Sequence, residues 1–375
     1  MTHTPYTMLA AALLAGTAMA EIQTTAKAAY LYHPATDTVV FDLNGHQQQE
    51  VASLVKLMTL YLLFEALDTG RVTLQSELPV SERAWKMDGS KMFVDVTKPA
   101  KVEDLIRGIA VQSGNDACIV VAEYLGGTVE GFAELMNAKA KELGLNDTRY
   151  TNPNGWPDAA QVSSPHDVVK LGVAIQQRFP TYYKVFSETE FTYSGIRQTN
   201  RNGLLTANAG VDGMKTGHTD STGYHLLATG TDTATGGTDR LFALVMGTSG
   251  FAEREGEALK LLRYGFSQYQ TVPLWSEGQV VLTAPTWLGQ AATVPLVAGQ
   301  AATTFLKRNT PKPTQVTVTY KKPMAAPIYA GSQVGTMTMT VEGKTLTAPL
   351  LAGQDVPAAG FFSALSEKLF YRLGL

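Results

Sequence analysis

The stretch Ala52-Ser53-Leu54-Val55-Lys56 places a serine three residues before a lysine. It opens residues 52–67, whose apolar positions recur at helical spacing and predict a mostly buried helix. Residues three apart share one face of a helix, so the amine of Lys56 can reach the hydroxyl of Ser53. A lysine kept neutral by burial and by nearby positive charge can take the proton of such a serine. The spacing alone is common, but at the start of an apolar helix it indicates a serine nucleophile with a lysine base.

Two later motifs extend this interpretation. Ser113-Gly114-Asn115 lies at a break between two predicted helices, where a hydroxyl and an amide would face a cleft rather than a core. Lys215-Thr216-Gly217 begins an apolar strand. An S-x-x-K, an S-x-N and a K-T-G in this order, on a helix, a loop and a strand, form the signature of serine β-lactamases and penicillin-binding proteins. The three motifs together predict acyl transfer through a serine.

Over about residues 25–270 the chain resembles the low-molecular-mass penicillin-binding proteins, and among them the D-alanyl-D-alanine carboxypeptidases. The resemblance implies an α+β fold: a β-lactamase/transpeptidase-like domain with an antiparallel sheet flanked by helices. Val51 and Val55 stand where the family usually has proline and threonine, and neither position carries the chemistry. The stretches that carry the resemblance are Ala52–Lys56, Leu105–Ile109, Gln112–Ala117, Asn200–Leu205 and Asp212–Thr219.

The resemblance implies a role for each catalytic residue. Ser53 is expected to be the acylated nucleophile and Lys56 its general base. Ser113 is expected to relay a proton to the leaving D-alanine. Asn115 is expected to hold the Lys56 side chain and the substrate amide. Lys215 is expected to keep Lys56 deprotonated through its positive charge and to help hold the substrate carboxylate.

The resemblance also implies a substrate-binding set. Thr216 is expected to hydrogen-bond the substrate carboxylate, and Gly217 completes the same motif. The backbone N–H groups of Ser53 and His218 are expected to form an oxyanion hole, in which one donor contributes about 3 kcal/mol at the transition state. Arg254 stands where this subgroup has an arginine near the carboxylate.

The implied function is removal of the terminal D-alanine from peptidoglycan pentapeptides, with β-lactam antibiotics as covalent inhibitors. No cofactor and no metal is expected. The single cysteine, Cys118, excludes an intramolecular disulfide and a cysteine zinc site, and is interpreted as a buried small residue. The six histidines are scattered and include no pair at helical metal-ligand spacing. A net charge of −3 without a basic run excludes a nucleic-acid partner.

Three alternatives remain open at this point. A serine β-lactamase adds a carboxylate that activates water, and Glu142-Leu143-Gly144-Leu145-Asn146 matches such a motif by letters. We interpret Glu142 as the last turn of a helix and Gly144 as its left-handed C-cap. A catalytically inert peptidoglycan-binding module is expected to have lost Ser53, Lys56 or Lys215. An endopeptidase acting on crosslinked peptides would use the same site.

The two ends of the chain predict export and a membrane contact. Residues 1–20 are interpreted as a signal peptide, with the apolar run Leu9–Ala15 and the cleavage site Ala18-Met19-Ala20. Residues 357–375 have an aromatic, amphipathic helical pattern typical of an interfacial anchor, although packing on the preceding domain would also explain it. We therefore expect a periplasmic protein attached peripherally to the outer face of the inner membrane.

Composition divides the chain between these ends. Residues 21–272 are predicted as the catalytic domain. Residues 273–352 are rich in Val, Thr, Pro and Gly with period-two runs, which predicts a small all-β sandwich. Trp156 and Trp287 are interpreted as core or domain-interface residues.

Overall fold

The computed structural model describes residues 22–207, 209–232 and 237–360. The predicted signal peptide, residues 1–20, lies outside this part of the chain. Of the predicted tail helix, residues 361–375 also lie outside it, while residues 357–360 have no helical structure and Ala358 forms a bridge with Gly289.

The α-helices of the described chain all lie before the strand that begins at Tyr269. They are α1 Lys56–Asp68, α2 Glu82–Lys86, α3 Val102–Ala110, α4 Asn115–Gly126, α5 Val129–Glu142, α6 Pro165–Arg178, α7 Pro180–Tyr183 and α8 Phe251–Gln268. Short 3-10 helices span Ala52–Val55, Lys184–Ser187 and Gly203–Thr206. Within the described residues, every helix is too short or too polar to cross a bilayer.

The strands fall into an early and a late group. The early strands are β1 Ala28–His33, β2 Thr38–Leu43, β3 Glu77–Leu78, β4 Ala100–Lys101, β5 Glu190–Tyr193, β6 Ile196–Thr199, β7 Val211–Thr219, β8 Gly223–Thr231 and β9 Arg240–Thr248. The late strands are β10 Tyr269–Trp275, β11 Val280–Trp287, β12 Thr293–Ala298, β13 Ala302–Lys307, β14 Thr317–Tyr320, β15 Met324–Ala325, β16 Gln333–Val341 and β17 Lys344–Ala352.

A five-stranded antiparallel sheet, in the order β2-β1-β9-β8-β7, forms the centre of the first domain. Successive side chains of a strand point to opposite faces, so the sheet separates two apolar cores. Leu227 and Leu244 lie in one core with α1 and α6, whereas Leu226 and Val245 lie in the other with α8. The predicted antiparallel sheet flanked by helices is therefore confirmed.

Strand β7 lies at one edge of this sheet and is paired only with β8. Its other side faces the 3-10 helix Ala52–Val55, which leads directly into α1. The loop between α3 and α4 approaches the same place, because Ser113 in that loop is bonded to Lys215 of β7. All three sequence motifs therefore meet at this edge of the sheet.

The second domain is all-β, as predicted. A six-stranded sheet in the order β14-β16-β17-β12-β11-β15 packs against the two-stranded pair β10-β13. Their shared core includes Trp275 and Leu306 from the pair and Met337 and Leu350 from the larger sheet. The indole N–H of Trp275 donates to the carbonyl of Gln300 at 2.9 Å.

The two domains are joined by more than one contact. Helix α8 continues into β10 without an intervening residue. Phe305 of β13 belongs to the apolar core beneath α8 and stacks on His33 with ring centroids 4.0 Å apart. The Lys344 amine donates to the carbonyl oxygens of Thr36 and Asp37, each at 2.9 Å, and to the Asp37 carboxylate at 2.7 Å.

Candidate active site

Ser53 and Lys56 form a close pair of side chains at the centre of the site. Ser53 lies in the 3-10 helix and is half-buried, and Lys56 is the first residue of α1 and fully buried. The Lys56 Nζ donates to Ser53 Oγ at 2.7 Å and to the carbonyl oxygen of Asn154 at 2.6 Å. In the described structure, neither side chain is hydrogen-bonded to a carboxylate. The arrangement lets the amine take a proton directly from the hydroxyl.

A strained backbone presents Ser53. Ala52, immediately before it, has φ +47°, a left-handed conformation that an alanine seldom adopts. The loop of Gly155 closes over this turn, and a Cβ added at Gly155 would lie 2.1 Å from the carbonyl oxygen of Ala52. Gly155 itself has φ +79°. Only glycine therefore permits this close approach, and backbone strain of this kind is concentrated at functional sites.

The Gly155→Ala variant is expected to damage both stability and acylation. The left-handed φ costs an alanine about 1–2 kcal/mol, and relief of the clash with Ala52 adds about 1–3 kcal/mol while moving Ser53. Gly70→Ala is the matched control, since Gly70 has φ +71° but no atom within 4 Å of an added Cβ. Denaturant unfolding and penicillin acylation rates measure the two effects. Equal behaviour of the two variants would contradict the prediction.

Ser113 lies in the break between α3 and α4, and Asn115 is the first residue of α4. Ser113 has φ +65°, and its Oγ accepts a hydrogen bond from Lys215 Nζ at 2.9 Å. The resemblance implies that Asn115 holds the Lys56 side chain. In the structure, Asn115 Nδ2 instead donates to the carbonyl of Asp88 at 2.8 Å. The second acceptor of the Lys56 amine is instead the Asn154 backbone.

Strand β7 supplies the third motif. Lys215 Nζ also donates to the carbonyl of Thr216 at 3.0 Å, and both residues are buried. A Cβ added at Gly217 would lie 3.1 Å from the carbonyl oxygen of Val51, so the absence of a side chain lets β7 lie close to the nucleophile loop. His218 is partly exposed and stacks on Tyr224, with ring centroids 4.0 Å apart.

Two arginines add positive charge beside β7. Arg254, in the first turns of α8, is 1% exposed, lies over the Phe251 ring and donates from Nη2 to the carbonyl of Arg201 at 2.5 Å. None of the described residues accepts a hydrogen bond from its Nε. Arg201 is exposed, and its charge acts on both Lys56 and Lys215. Arg201 received no role from the sequence, although it lies within one of the stretches that carry the resemblance.

Burial and charge lower the pKa of both lysines. Burial lowers the pKa of Lys56 to about 8, and the positive charge of Arg201 adds to this effect. Burial is also the main reason why the pKa of Lys215 lies well below its usual range. The positive charges of Lys56 and Arg201 lower it further. Cys118 lies buried beside them, and burial raises the pKa of its thiol to about 12. The thiol is therefore neutral, as its interpretation as a small buried residue requires.

Two supporting residues were not identified from the sequence. The buried carboxylate of Asp116 accepts hydrogen bonds from the backbone N–H groups of Met92, Phe93 and Val94 at 2.8–3.1 Å and so fixes this segment against the start of α4. Asn154 supplies the carbonyl that holds Lys56. An Asn-Gly dipeptide is typical of turns, so Asn154-Gly155 is the feature of the sequence that indicates an unusual backbone conformation here.

The structure contradicts the sequence interpretation of Trp156 and agrees with that of Glu142. The interpretation of Trp156 as a core residue is wrong: its side chain is 44% exposed, because the loop is held through its backbone N–H, which donates to Asn152. Trp156 lines a small cleft with Ala52 and Gly155. Glu142 ends α5 as interpreted, where it is 59% exposed and bonded to Lys139.

The site therefore combines a serine, a neighbouring amine of lowered pKa and a second serine bonded to another amine. The Asp116 carboxylate is occupied by backbone N–H groups, and the other charged side chains of the site are cations, which suit an anionic substrate rather than a metal ion. An acyl group could be carried by Ser53 while the cations bind a carboxylate.

Two family models match the chain. The model described as D-alanyl-D-alanine carboxypeptidase matches residues 15–250, and the model described as penicillin-binding protein 5, C-terminal domain, matches residues 269–358. D-alanyl-D-alanine carboxypeptidase DacA of Haemophilus influenzae is 36% identical over 355 residues, covering 92% of this chain and 89% of that protein. DacC of Escherichia coli is 36% identical over 365 residues, covering 93% and 90%.

Solved structures give the same result. Penicillin-binding protein 5 from Haemophilus influenzae superposes with a TM-score of 0.77 at 35% identity, covering 90% of this chain and 99% of that one. Penicillin-binding protein D2 from Listeria monocytogenes, in its ampicillin-bound form, has a TM-score of 0.60 at 26% identity, covering 66% and 100%.

Proposed function

The chain belongs to the D-alanyl-D-alanine carboxypeptidase family and is a serine-type D-Ala-D-Ala carboxypeptidase of the penicillin-binding proteins, and we propose which of its residues performs each step. In the acylation step, Ser53 Oγ attacks the carbonyl carbon of the penultimate D-alanine. The hydroxyl proton passes to the neutral Lys56 amine, and the 2.7 Å distance between the two groups supports this transfer.

The leaving D-alanine then receives a proton through Ser113. Its hydroxyl lies 2.9 Å from the Lys215 amine, so a proton given to the leaving nitrogen can be replaced from the lysine side of the site. Expulsion of D-alanine leaves an ester on Ser53. The proton that Lys56 took from Ser53 would pass to Lys215, which replaces the proton given up through Ser113 and leaves Lys56 neutral. Lys56 can then take a proton from the water that hydrolyses the ester. The backbone N–H groups of Ser53 and His218 would stabilise the oxyanion in both steps.

The concentration of positive charge beside the nucleophile is the observation that carries this proposal. Lys215, Arg201 and Arg254 interact electrostatically around β7, next to Thr216 and Gly217. A substrate that ends in a free carboxylate would gain from both arginine charges and from the protonated form of Lys215, whereas an amide at the same position would gain less. The site is therefore suited to the last residue of a peptidoglycan pentapeptide, and β-lactams, which carry a carboxylate, would acylate the same serine.

Release of D-alanine tests the proposal. The purified protein is incubated with a peptide that ends in D-Ala-D-Ala and with the same peptide carrying a C-terminal amide. Release from the acid, with at least a tenfold preference over the amide, is expected. Equal cleavage of the two peptides would contradict carboxylate recognition and favour endopeptidase action.

A penicillin time course addresses the β-lactamase alternative. Mass spectrometry is expected to show one adduct on Ser53 that is lost slowly, because no carboxylate among the described residues is bonded to Ser53 or Lys56. Rapid consumption of penicillin without a lasting adduct would assign a β-lactamase. Neither an adduct nor consumption would assign an inert peptidoglycan-binding module.

We also propose the location and division of the chain that the sequence predicts. Residues 1–20 would be a signal peptide, residues 21–272 the catalytic domain and residues 273–352 a β-sandwich. Of the predicted tail 357–375, residues 357–360 are not helical, and residues 361–375 would lie as an amphipathic helix on the outer face of the inner membrane, with the catalytic domain in the periplasm. The family matches to residues 15–250 and 269–358 support the division.

Vesicle sedimentation tests the membrane contact. The protein with and without residues 357–375 is mixed with vesicles that contain anionic lipid, and the bound fraction is measured. Loss of binding on truncation is expected because the aromatic face of the tail is removed. Equal binding of the two proteins would contradict the anchor.

A further inference from the structure

A second group of chemically reactive side chains lies outside the catalytic site. It consists of His46, Asp147 and His166, and we call it the histidine cluster. One possible ligand atom from each residue lies within 4.8 Å of the other two. His46 Nδ1 lies 2.9 Å from an Asp147 carboxylate oxygen, and the two imidazole rings are 4.4 Å apart. No motif in the sequence indicates this cluster, because its members are about 100 and 20 residues apart.

A buried carboxylate orients one member of the cluster. His166 Nδ1 lies 3.0 Å from an Asp167 carboxylate oxygen, and Asp167 is 1% exposed. The other oxygen of Asp167 accepts from Asp147 N and Thr148 Oγ1, each at 2.7 Å. With Nδ1 donating to this carboxylate, His166 keeps the lone pair of Nε2 for another partner. Metal-binding histidines in proteins typically have such a carboxylate on their other ring nitrogen.

The other two residues of the histidine cluster, His46 and Asp147, can also act as ligands. The His46 side chain is 64% exposed, so its ring can turn towards an ion without disturbing the core. The Asp147 carboxylate is 26% exposed and accepts a hydrogen bond from Ser164 Oγ at 3.0 Å. Water can reach the cluster and supply a further ligand.

We propose that the histidine cluster binds one Zn²⁺ ion through His46, Asp147 and His166. Two imidazoles and one carboxylate, with a water, make a four-coordinate N/O set that suits zinc, whereas Mg²⁺ and Ca²⁺ prefer oxygen ligands. The charges also agree, because the ligand set carries one negative charge for a divalent cation. Of the three residues only His46 is exposed, and its ring can rotate towards an ion held by the partly buried Asp147 and His166.

The ion would join three segments that lead towards the catalytic site. The chain after β2, which carries His46, pairs with the chain before α6 through the bridge between Gln49 and Ser163. The same chain reaches Ser53 four residues after Gln49. The turn with Asp147 continues to Asn154, which holds Lys56. Zinc at the cluster would therefore stabilise the framework behind the nucleophile without touching it.

Isothermal titration of the chelator-treated protein with ZnCl₂ tests the proposal. One equivalent is expected to bind, and His46→Gln together with His166→Gln should weaken binding at least tenfold. MgCl₂ should give no heat of binding. His218→Gln is the matched control, because it removes a partly exposed histidine outside the cluster and should leave the stoichiometry and affinity unchanged.

Two further measurements make the outcome decisive. At a zinc concentration of about 100 times the dissociation constant, the midpoint of thermal unfolding should rise by about 5 °C, and the double variant should not respond. Cobalt substituted for zinc should give the visible absorption of a four-coordinate ion in the parent protein alone. Absence of one-to-one binding, or binding that persists in the double variant, would overturn the proposal. Loss of binding in His218→Gln would place the ion at the catalytic site and overturn it equally.

Discussion

Replacement of Ser53 by alanine is expected to abolish both D-alanine release and penicillin adduct formation. The variant keeps Lys56, Lys215 and the cationic pocket, but it lacks the oxygen that must carry the acyl group. Removal of a serine nucleophile lowers kcat by about 10⁴-fold or more in enzymes that act through an acyl-enzyme. Steady-state release of D-alanine and intact-protein mass spectrometry measure the two losses.

Two comparisons isolate the chemical effect. Ser221→Ala, at an exposed serine bonded to Glu50 outside the nucleophile loop, should retain both activities. Thermal unfolding of Ser53→Ala should match the parent protein, since Ser53 is only half-buried and loses a single hydroxyl. A penicillin adduct on folded Ser53→Ala would show that another residue is the nucleophile.

The pH dependence of acylation is expected to follow the Lys56 amine. This base acts only when neutral, and burial lowers its pKa to about 8. The value of kcat/KM should therefore rise with pH and level off above about 8, because kcat/KM reports groups of the free enzyme. Lys56→Met should lower the plateau by about 10²–10⁴-fold, the range of general base catalysis.

Arg201→Gln provides a sharper version of this test. The positive charge of Arg201 lowers the pKa of Lys56, so its removal should move the rising limb of the profile to higher pH. Arg197→Gln is the matched control, because Arg197 is exposed and pairs with Glu190 on a separate strand pair. A profile that keeps its midpoint in Arg201→Gln would show that Lys56 is not the titrating base.

The sequence predicted the central part of this site well for a physical reason. Ser53 and Lys56 are separated by one helical turn, so their meeting follows from local geometry. The contact between Ser113 and Lys215 is different, because these residues are about 100 positions apart and come together only in the tertiary fold. That contact was available only through the resemblance of the motifs to a known family.

Other features depended on backbone conformation and were not predictable. The left-handed φ of Ala52 has no signal in its residue type, since alanine normally avoids that region. The Asn154 carbonyl that holds Lys56 is a main-chain group, so residue identity alone does not indicate it. Exposure of Trp156 likewise follows from how its loop is tied down rather than from its apolar character.

The connection between the two domains limits which peptides the catalytic site can contact. Helix α8 enters β10 directly, while Lys344 and Phe305 hold the second domain against the β1–β2 hairpin of the first. These contacts restrict rotation of the second domain relative to the first, so the second domain acts as a rigid spacer of fixed length. Nine-residue strands such as β17 extend about 30 Å. If the tail binds a membrane, the catalytic cleft lies at a fixed distance from that membrane. Only stem peptides at that distance within the cell wall can then enter the cleft.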